Sequence, residues 1–207
     1  MINRLKRRNP NTPEFWDKEY REQILQNHIR FDPELLEKFG PLFRRADSLL
    51  DFGGGLGGNL KFLSEHLQNK RFILIDYSQS SLYFVRDQLL GERDGRGNRF
   101  EYYQHLDPVH DNSIHGVMSF QVLEHISDYQ RYMDMLWKKT RPGGFMLISV
   151  PVKGLRDRQR QHVNKFTVSS MFKVLSHYSE MVHITPRSYS KRAGRLSTAY
   201  FYIEKKT

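Results

Sequence analysis

The chain has 207 residues, with 33 lysines and arginines against 23 acidic residues and a formal net charge of +10. This length fits one domain that buries its own core without covalent staples. The absence of cysteine excludes disulfide scaffolds, zinc ribbons and thiol catalysis. The basic balance favours either an anionic partner or a well-solvated surface.

Neither a membrane span nor a secretory leader is expected from the sequence. The most apolar stretch, residues 145–152, is far shorter than the ~20 residues that a spanning helix needs. Residues 1–8 are basic, but no apolar region follows them, so they do not form a secretory signal. We therefore expect a cytoplasmic protein.

The beginning of the chain predicts an arm followed by helices. Residues 1–13 are rich in basic residues, asparagine and proline, which predicts a flexible arm. Apolar residues at helical spacing predict helices over residues 14–28 and 33–43. We expect residues 14–207 to form one domain, of which residues 14–45 are a helical extension.

Short apolar runs then alternate with helical patterns. Strands are predicted over residues 48–52, 71–76, 99–103, 114–120 and 145–150, with two late strands over residues 181–185 and 198–204. Helices are predicted around residues 60–67 and over residues 79–90, 129–140 and 167–178. Residues 141–144 have the composition of a helix stop and turn. This alternation predicts an α/β fold, a parallel sheet with helices on both faces.

A glycine-rich loop, residues 53–58, joins the end of the first strand to a helix. A backbone can wrap a polar or anionic ligand there because no Cβ blocks close approach. Gly53-x-Gly55-x-x-Gly58 satisfies the dinucleotide fingerprint. Asp51-x-Gly53-x-Gly55-x-Gly57 satisfies the pattern of S-adenosylmethionine-binding enzymes, and a tight turn without a ligand is a third interpretation.

Two carboxylates help to decide between these interpretations. Asp76 closes the second strand, where it can accept both ribose hydroxyls of either cofactor or serve as an N-cap for the next helix. Asp51 suits the cationic ammonium of a methionyl tail, whereas it would repel a pyrophosphate. The pair favours S-adenosylmethionine over a nicotinamide dinucleotide.

The chain resembles the class I S-adenosylmethionine-dependent methyltransferases of small-molecule type over roughly residues 15–204. The segments that carry the resemblance are residues 49–57, 75–78, 111–114 with 119–125, and 141–145 with 149–151. The resemblance implies a Rossmann-like, mostly parallel sheet of seven strands with helices on both faces and an antiparallel last strand.

The resemblance also implies a site for S-adenosyl-L-methionine. Glycines would lie under the methionyl part, acids would face its ammonium and the ribose, and an aromatic ring would lie against the adenine. A glutamine stands where the family often has an aspartate for the adenine amino group, and a Phe-Gln pair would lie near the methionyl group. These residues are Asp51, Gly53, Gly55, Gly57, Asp76, Tyr77, Gln104, Phe120 and Gln121.

Two histidines are candidates for the catalytic base that a hydroxyl acceptor needs. His125 follows the fourth strand, and its alternative is a structural role in capping the next turn. His162 follows the fifth strand, where the family has its substrate lid, and its alternative is packing. Residues 15–20 resemble the aromatic helix that closes over the cofactor in small-molecule members, and Trp16 and Tyr20 are its candidates for substrate contact.

Basic residues cluster after the fifth strand, at the edge where an acceptor would enter. Arg156 and Arg160, within residues 153–165, are predicted to recruit an anionic acceptor, although a solvated basic surface explains them equally well. Further basic clusters lie in residues 4–8 and 187–195. Because the chain carries no appended RNA-binding module, a small, anionic or glycan-like acceptor is favoured over RNA.

No metal is expected in the site. Some quinone-biosynthesis and small-RNA methyltransferases carry a Glu-x-x-Glu-His metal cluster in this region, whereas Gln121 takes its first position here. The remaining Glu124 and His125 make a poor magnesium site, since hard cations prefer charged oxygen ligands.

The sequence thus predicts an S-adenosylmethionine-dependent methyltransferase that acts on a small molecule at oxygen or nitrogen. The alternatives are an RNA methyltransferase, an NAD(P)-dependent oxidoreductase and a non-catalytic regulator that binds the cofactor.

Overall fold

A computed structural model describes residues 10–189 and 196–207, which contain one seven-stranded sheet flanked by helices. The strands are β1 (Ser48–Phe52), β2 (Arg71–Ile75), β3 (Arg99–Tyr103), β4 (Ile114–Phe120), β5 (Thr140–Pro151), β6 (Val182–Tyr189) and β7 (Leu196–Glu204). The helices are α1 (Pro13–Leu25), α2 (Leu35–Arg45), α3 (Gly58–His66), α4 (Gln79–Phe84), α5 (Tyr129–Lys139) and α6 (Val168–Leu175). No helix among these is long and apolar enough to cross a membrane.

The strands lie in the order β3-β2-β1-β4-β5-β7-β6. β1 pairs in parallel with β2 and β4, whereas β7 runs antiparallel to β5 and β6. This arrangement confirms the predicted sheet. The order changes direction between β1 and β4, so a crevice opens at the carboxyl ends of these strands, where ligands bind in such folds.

Helices cover both faces of the sheet because the central strands are apolar on both sides. In β1, Leu50 and Phe52 point into the core beneath α5 and α6. Leu49 points the other way, into the core beneath α2, α3 and α4. The alternation follows from the two-residue repeat of a strand. Packing on both faces therefore fixes β1, and with it the start of the glycine loop, between two helical layers.

The prediction of a turn at residues 141–144 is wrong. α5 ends at Lys139 and the chain enters β5 directly. Gly143 has a φ of +71°, and a Cβ at Gly144 would lie 2.7 Å from the carbonyl oxygen of His115. The two glycines therefore let a distorted strand pass close to its neighbour. The register shift between Ile114 and Gly116 records this distortion.

Other boundaries differ by smaller amounts. The helix expected over residues 79–90 ends as α4 at Phe84 and continues as a π-helix over Val85–Leu90. Both late strands are longer than predicted.

α1 lies across the carboxyl edge of the sheet rather than beside it. The Thr12 side chain accepts a hydrogen bond from Phe15 N and starts the helix. On the opposite side, the Asp17 carboxylate accepts hydrogen bonds from the Ser78 hydroxyl at 2.5 Å and from Ser80 N at 3.1 Å. These bonds dock α1 on the start of α4. Residues 1–9 of the predicted arm, and the basic residues Lys191, Arg192 and Arg195, lie outside the described residues.

Gly116→Ala tests the close packing of β1, β4 and β5. A Cβ at Gly116 would lie 2.5 Å from the Phe145 ring and 2.7 Å from Leu49. Both neighbours are fully buried, so we expect overpacking to lower the free energy of unfolding by about 1–3 kcal/mol. Urea denaturation measures it. Gly95→Ala is the matched control, since no atom lies within 4 Å of its added Cβ. An equal loss in both variants would contradict the explanation.

Candidate active site

A cavity of about 870 Å³ opens at the carboxyl ends of β1, β2, β4 and β5. Its floor is the glycine loop, its roof is α1, and one wall is the loop after β5. Its size and position are those of a site for a cofactor and a small second ligand.

Asp51 lies at the floor of the cavity with an unsatisfied carboxylate. Its side chain is 1% exposed, and its Oδ2 has no hydrogen-bond partner among the described residues. A Cβ at Gly54 would lie 2.6 Å from this oxygen, so only glycine allows the loop to pass so close. Burial, together with the charge of Asp76, raises the pKa of Asp51 to about 7. A buried carboxylate of this kind favours a cationic ligand.

Asp76, at the end of β2, is held by the backbone on both of its oxygens. Oδ2 accepts a hydrogen bond from Gly55 N and Oδ1 accepts one from Ser78 N, each at 2.9 Å. Burial raises the pKa of Asp76 to about 6 against the lowering effect of these bonds. The alternative role of Asp76 as an N-cap is wrong, because the Ser78 side chain caps α4. Its remaining acceptor capacity faces the cavity, where a ribose hydroxyl would fit.

The other predicted cofactor residues, apart from Gly57, also line the cavity: Gly53, Gly55, Tyr77, Gln104, Phe120 and Gln121. The Gln104 amide donates to the Tyr77 carbonyl at 3.3 Å, which places an amide beside the expected adenine position. Gln121 has a φ of +59°, a left-handed conformation that costs energy for this residue type. Its Nε2 donates to the Ser149 hydroxyl at 3.3 Å. Gly57 lies outside the lining and serves the turn instead, with a φ of +70° at the start of α3.

The roof of the cavity is aromatic. Trp16 packs edge-on against His125 at 5.0 Å between ring centroids and lies 5.7 Å from the Tyr20 ring. The Tyr20 hydroxyl reaches Asp76 Oδ2 at 3.4 Å, a long hydrogen bond. α1 therefore spans the cavity from the Asp76 end to the histidine end, as the sequence predicted for an aromatic covering helix.

Both predicted histidines lie at the far end of the cavity, 4.9 Å apart between ring centroids. His125 belongs to a 3-10 turn, Leu123–His125, that follows β4, and its Nδ1 donates to the Gln161 carbonyl at 3.1 Å. His162 Nδ1 lies 2.6 Å from Asp157 Oδ2. Burial lowers the pKa of His125 to about 4, so its ring is neutral near pH 7.

Sequence reasoning assigned no binding role to Glu124, which lies beside the two histidines. Its side chain is 1% exposed, and neither carboxylate oxygen has a hydrogen-bond partner within the described ranges. Burial raises the pKa of Glu124 to about 8. Its signal in the sequence was its place with His125 in the Glu-x-x-Glu-His pattern, which was set aside because Gln121 takes the first position.

The predicted cations Arg156 and Arg160 are exposed and lie outside the cavity lining. The described cations that line the cavity are Arg30, Arg131, Lys153 and Arg187. Arg187 Nε donates to Asp32 Oδ2 at 2.8 Å. Lys153 makes no ion pair with any described residue, so its charge is available to a ligand.

The site fits S-adenosylmethionine better than a dinucleotide. The orphaned Asp51 oxygen would pair with an ammonium but repel a pyrophosphate. The glycine loop leaves room for a ligand beside it, and Asp76 presents a carboxylate for a sugar. This fold and these residues define the class I S-adenosylmethionine-dependent methyltransferases.

A family model described as a methyltransferase domain (Methyltransf_23) matches residues 18–188, and the chain belongs to this family. Phosphoethanolamine N-methyltransferase 2 of Caenorhabditis elegans is 27% identical over 125 residues, which are 58% of this chain and 27% of that protein. Ubiquinone/menaquinone biosynthesis C-methyltransferase UbiE of Legionella pneumophila (strain Corby) is 30% identical over 116 residues, 53% of this chain and 46% of that protein. The chain thus spans less than half the length of these two curated relatives.

The fold is also similar to solved structures. Phosphoethanolamine N-methyltransferase 2 of Haemonchus contortus, solved with phosphomonomethylethanolamine and S-adenosylhomocysteine, superposes with a TM-score of 0.70 at 15% identity. The match covers 94% of this chain and 58% of that one. At this identity, the likeness shows the fold alone.

The raised pKa of Asp51 predicts pH-dependent cofactor binding. Below about pH 7 the carboxyl is protonated in the free protein, whereas the ammonium of S-adenosylhomocysteine binds its ionised form. Binding should therefore release protons, and affinity should rise about tenfold from pH 6 to pH 8. Calorimetry at pH 6.5 in buffers of different ionisation enthalpy measures the release.

Asp51→Asn is the control for this assignment. It should weaken binding at pH 8 and remove most of the pH dependence, leaving the part below about pH 6 that comes from Asp76. Equal proton release in the wild type and in Asp51→Asn would refute the role of Asp51.

Proposed function

We propose that the protein transfers a methyl group from S-adenosylmethionine to oxygen or nitrogen of a small molecule that carries an anionic group. One observation carries this proposal: the same cavity holds the unpartnered Asp51 carboxylate at one end and the Glu124, His125 and His162 cluster at the other. The first end suits an amino-acid ammonium, and the second suits a polar nucleophile.

The residues at the cofactor end bind and orient. When bound, S-adenosylmethionine supplies an electrophilic methyl group on its sulfonium. Asp51 pairs with the ammonium, and Asp76 accepts from the ribose in place of the long Tyr20 contact. Trp16 and Tyr20 cover the site and exclude water, which would otherwise shield the nucleophile. Such alignment contributes up to roughly 7–11 kcal/mol in reactions of this kind.

The residues at the other end receive the acceptor. His125 and His162 direct polar atoms toward it, and we assign the activation of its nucleophilic atom to this pair. Lys153 would hold a phosphate or carboxylate in the same cavity, and Arg187, which is already paired with Asp32, would add positive potential there. Arg156 and Arg160, exposed outside it, would attract such an anion before it enters.

A small-molecule acceptor is also supported by the names of the relatives, which include a phosphoethanolamine N-methyltransferase and a quinone-biosynthesis C-methyltransferase. RNA is less well supported, because the cations that line the cavity lie within a partly covered space of about 870 Å³. The phosphate backbone of an RNA would need a continuous basic surface along which to bind.

Methyl transfer to paired acceptors, phosphorylated and dephosphorylated, tests the acceptor class. We expect the anionic member of a pair to have the lower KM. Lys153→Gln should raise that KM about tenfold and leave the KM of the neutral member unchanged, because only the anion loses a charged contact. Lys173→Gln, an exposed position on α6, is the control. Preference for the neutral acceptors, or for bulk RNA, would overturn the proposed class.

His162→Ala tests the acceptor end separately. We expect kcat to fall about 10²-fold or more, since the activating pair is broken, while the affinity for S-adenosylhomocysteine stays within about threefold. His177→Ala, exposed just after α6, should leave both values unchanged. If His162→Ala keeps full turnover, His162 has only a packing role.

A further inference from the structure

Glu124, His125 and His162 bring three side chains that can bind a metal together from two separate loops. Glu124 and His125 belong to the turn after β4, and His162 belongs to the loop after β5. One donor atom from each residue lies within 4.8 Å of the other two. All three residues line the cavity, so an ion between them would face the acceptor space.

The hydrogen bonds of the two rings leave their other nitrogens ready to bind a metal. His125 Nδ1 meets the carbonyl of Gln161, which can only accept, so Nδ1 carries the proton. His162 Nδ1 likewise donates to the Asp157 carboxylate. In a neutral ring, Nε2 then carries the lone pair. Carbonyl and carboxylate partners of this kind orient metal-binding histidines and raise their basicity.

The Glu124 carboxylate needs a positive partner that the described protein does not supply. Both of its oxygens are buried and unpartnered, an arrangement that is costly for a carboxylate. Arg187 acts on Glu124 from a distance, but its guanidinium is paired with Asp32. A bound cation would satisfy both oxygens.

Asn164 holds the two loops together. Its backbone N donates to the Glu124 carbonyl at 3.1 Å. Its side-chain amide donates to the carbonyls of Leu123 and Ile126 at 2.8 and 2.6 Å. The backbone segments that carry the three side chains are therefore held together before any ligand arrives, as a metal site requires.

We propose that Glu124, His125 and His162 bind one divalent transition-metal ion. Two imidazoles and one carboxylate suit zinc, cobalt, nickel, iron or manganese, whereas magnesium prefers oxygen ligands and retains water. The expectation of no metal counted only Glu124 and His125, and His162 adds the third ligand. Gln121 is not counted among the ligands because it offers only a neutral amide oxygen, while its Nε2 donates to the Ser149 hydroxyl.

The ion gives the histidine pair a specific task. This inference rests on the proposed function, in which the site holds an acceptor oxygen or nitrogen next to the methyl donor. The two imidazole rings would then activate that atom by anchoring the ion, and they would not exchange protons themselves. Asp157 and the Gln161 carbonyl are then positioning groups.

Metal titration of the untagged, chelator-treated protein tests the proposal without any acceptor. With Zn²⁺ and Co²⁺, calorimetry and elemental analysis should give one equivalent, and Co²⁺ should show a visible absorption band typical of nitrogen ligands. Glu124→Gln, His125→Gln and His162→Gln should each weaken binding at least about tenfold. Asp157→Asn should weaken it through His162. His177→Gln, which removes an exposed histidine, should bind as the wild type does.

Two results would overturn the metal site. One is wild-type binding that does not saturate at one equivalent, and the other is binding that the three ligand substitutions leave unchanged. Retained affinity for S-adenosylhomocysteine shows that each variant is folded. Where a variant loses this affinity, the Co²⁺ spectrum of the wild type decides whether nitrogen ligands bind the metal. Metal binding without methyl transfer would refute the proposed function alone, and methyl transfer without metal binding would refute the metal site alone.

Discussion

The carboxylate of Asp76 joins the parts of the chain from which the site is built. It fixes the end of β2 to the glycine loop through Gly55 N and to the start of α4 through Ser78 N, and it touches α1 through Tyr20. Its burial among polar hydrogens is tolerable because backbone donors satisfy it. Without this carboxylate, the loop, the helix and the roof would have no common anchor.

Two further carboxyl groups, Asp51 and Glu124, are buried at the two ends of the same cavity, where Asp51 Oδ2 and both Glu124 oxygens have no hydrogen-bond partner in the described part of the chain. Burial raises the pKa of Asp51 to about 7 and that of Glu124 to about 8, so folding keeps both groups from ionising freely. This cost is offset when a cation arrives, because the charge is then paired inside a region of low dielectric. The fold thus buries two carboxyl groups at which positive charge would be stabilised, and we propose an ammonium at the Asp51 end and a metal ion at the Glu124 end. Between them lies the space where the methyl group would pass.

Local patterns in the sequence predicted most of the fold, and the residues proposed for the cofactor line one cavity, apart from Gly57. Strand and helix periodicity placed the seven strands, and the pattern from Asp51 to Gly57 located the loop. Residues 141–144 were mistaken for a turn because the contact that makes Gly144 necessary, with the His115 carbonyl, comes from another strand. The acceptor half of the site was harder to predict from the sequence for the same reason. Spacing along one segment pairs Glu124 with His125, but only the folded loop after β5 brings His162 to them.

The contrast between the two halves follows from how each is built. The cofactor end rests on strand ends and a glycine turn, whose geometry the sheet dictates, so a short motif suffices to identify it. The acceptor end rests on the loop after β5, and loops on a rigid scaffold vary while the scaffold stays the same. Relatives named for N- and C-methylation match more than half of this chain in sequence. The proposed acceptor chemistry therefore depends on a few side chains such as Lys153 and His162, which line the cavity from that loop.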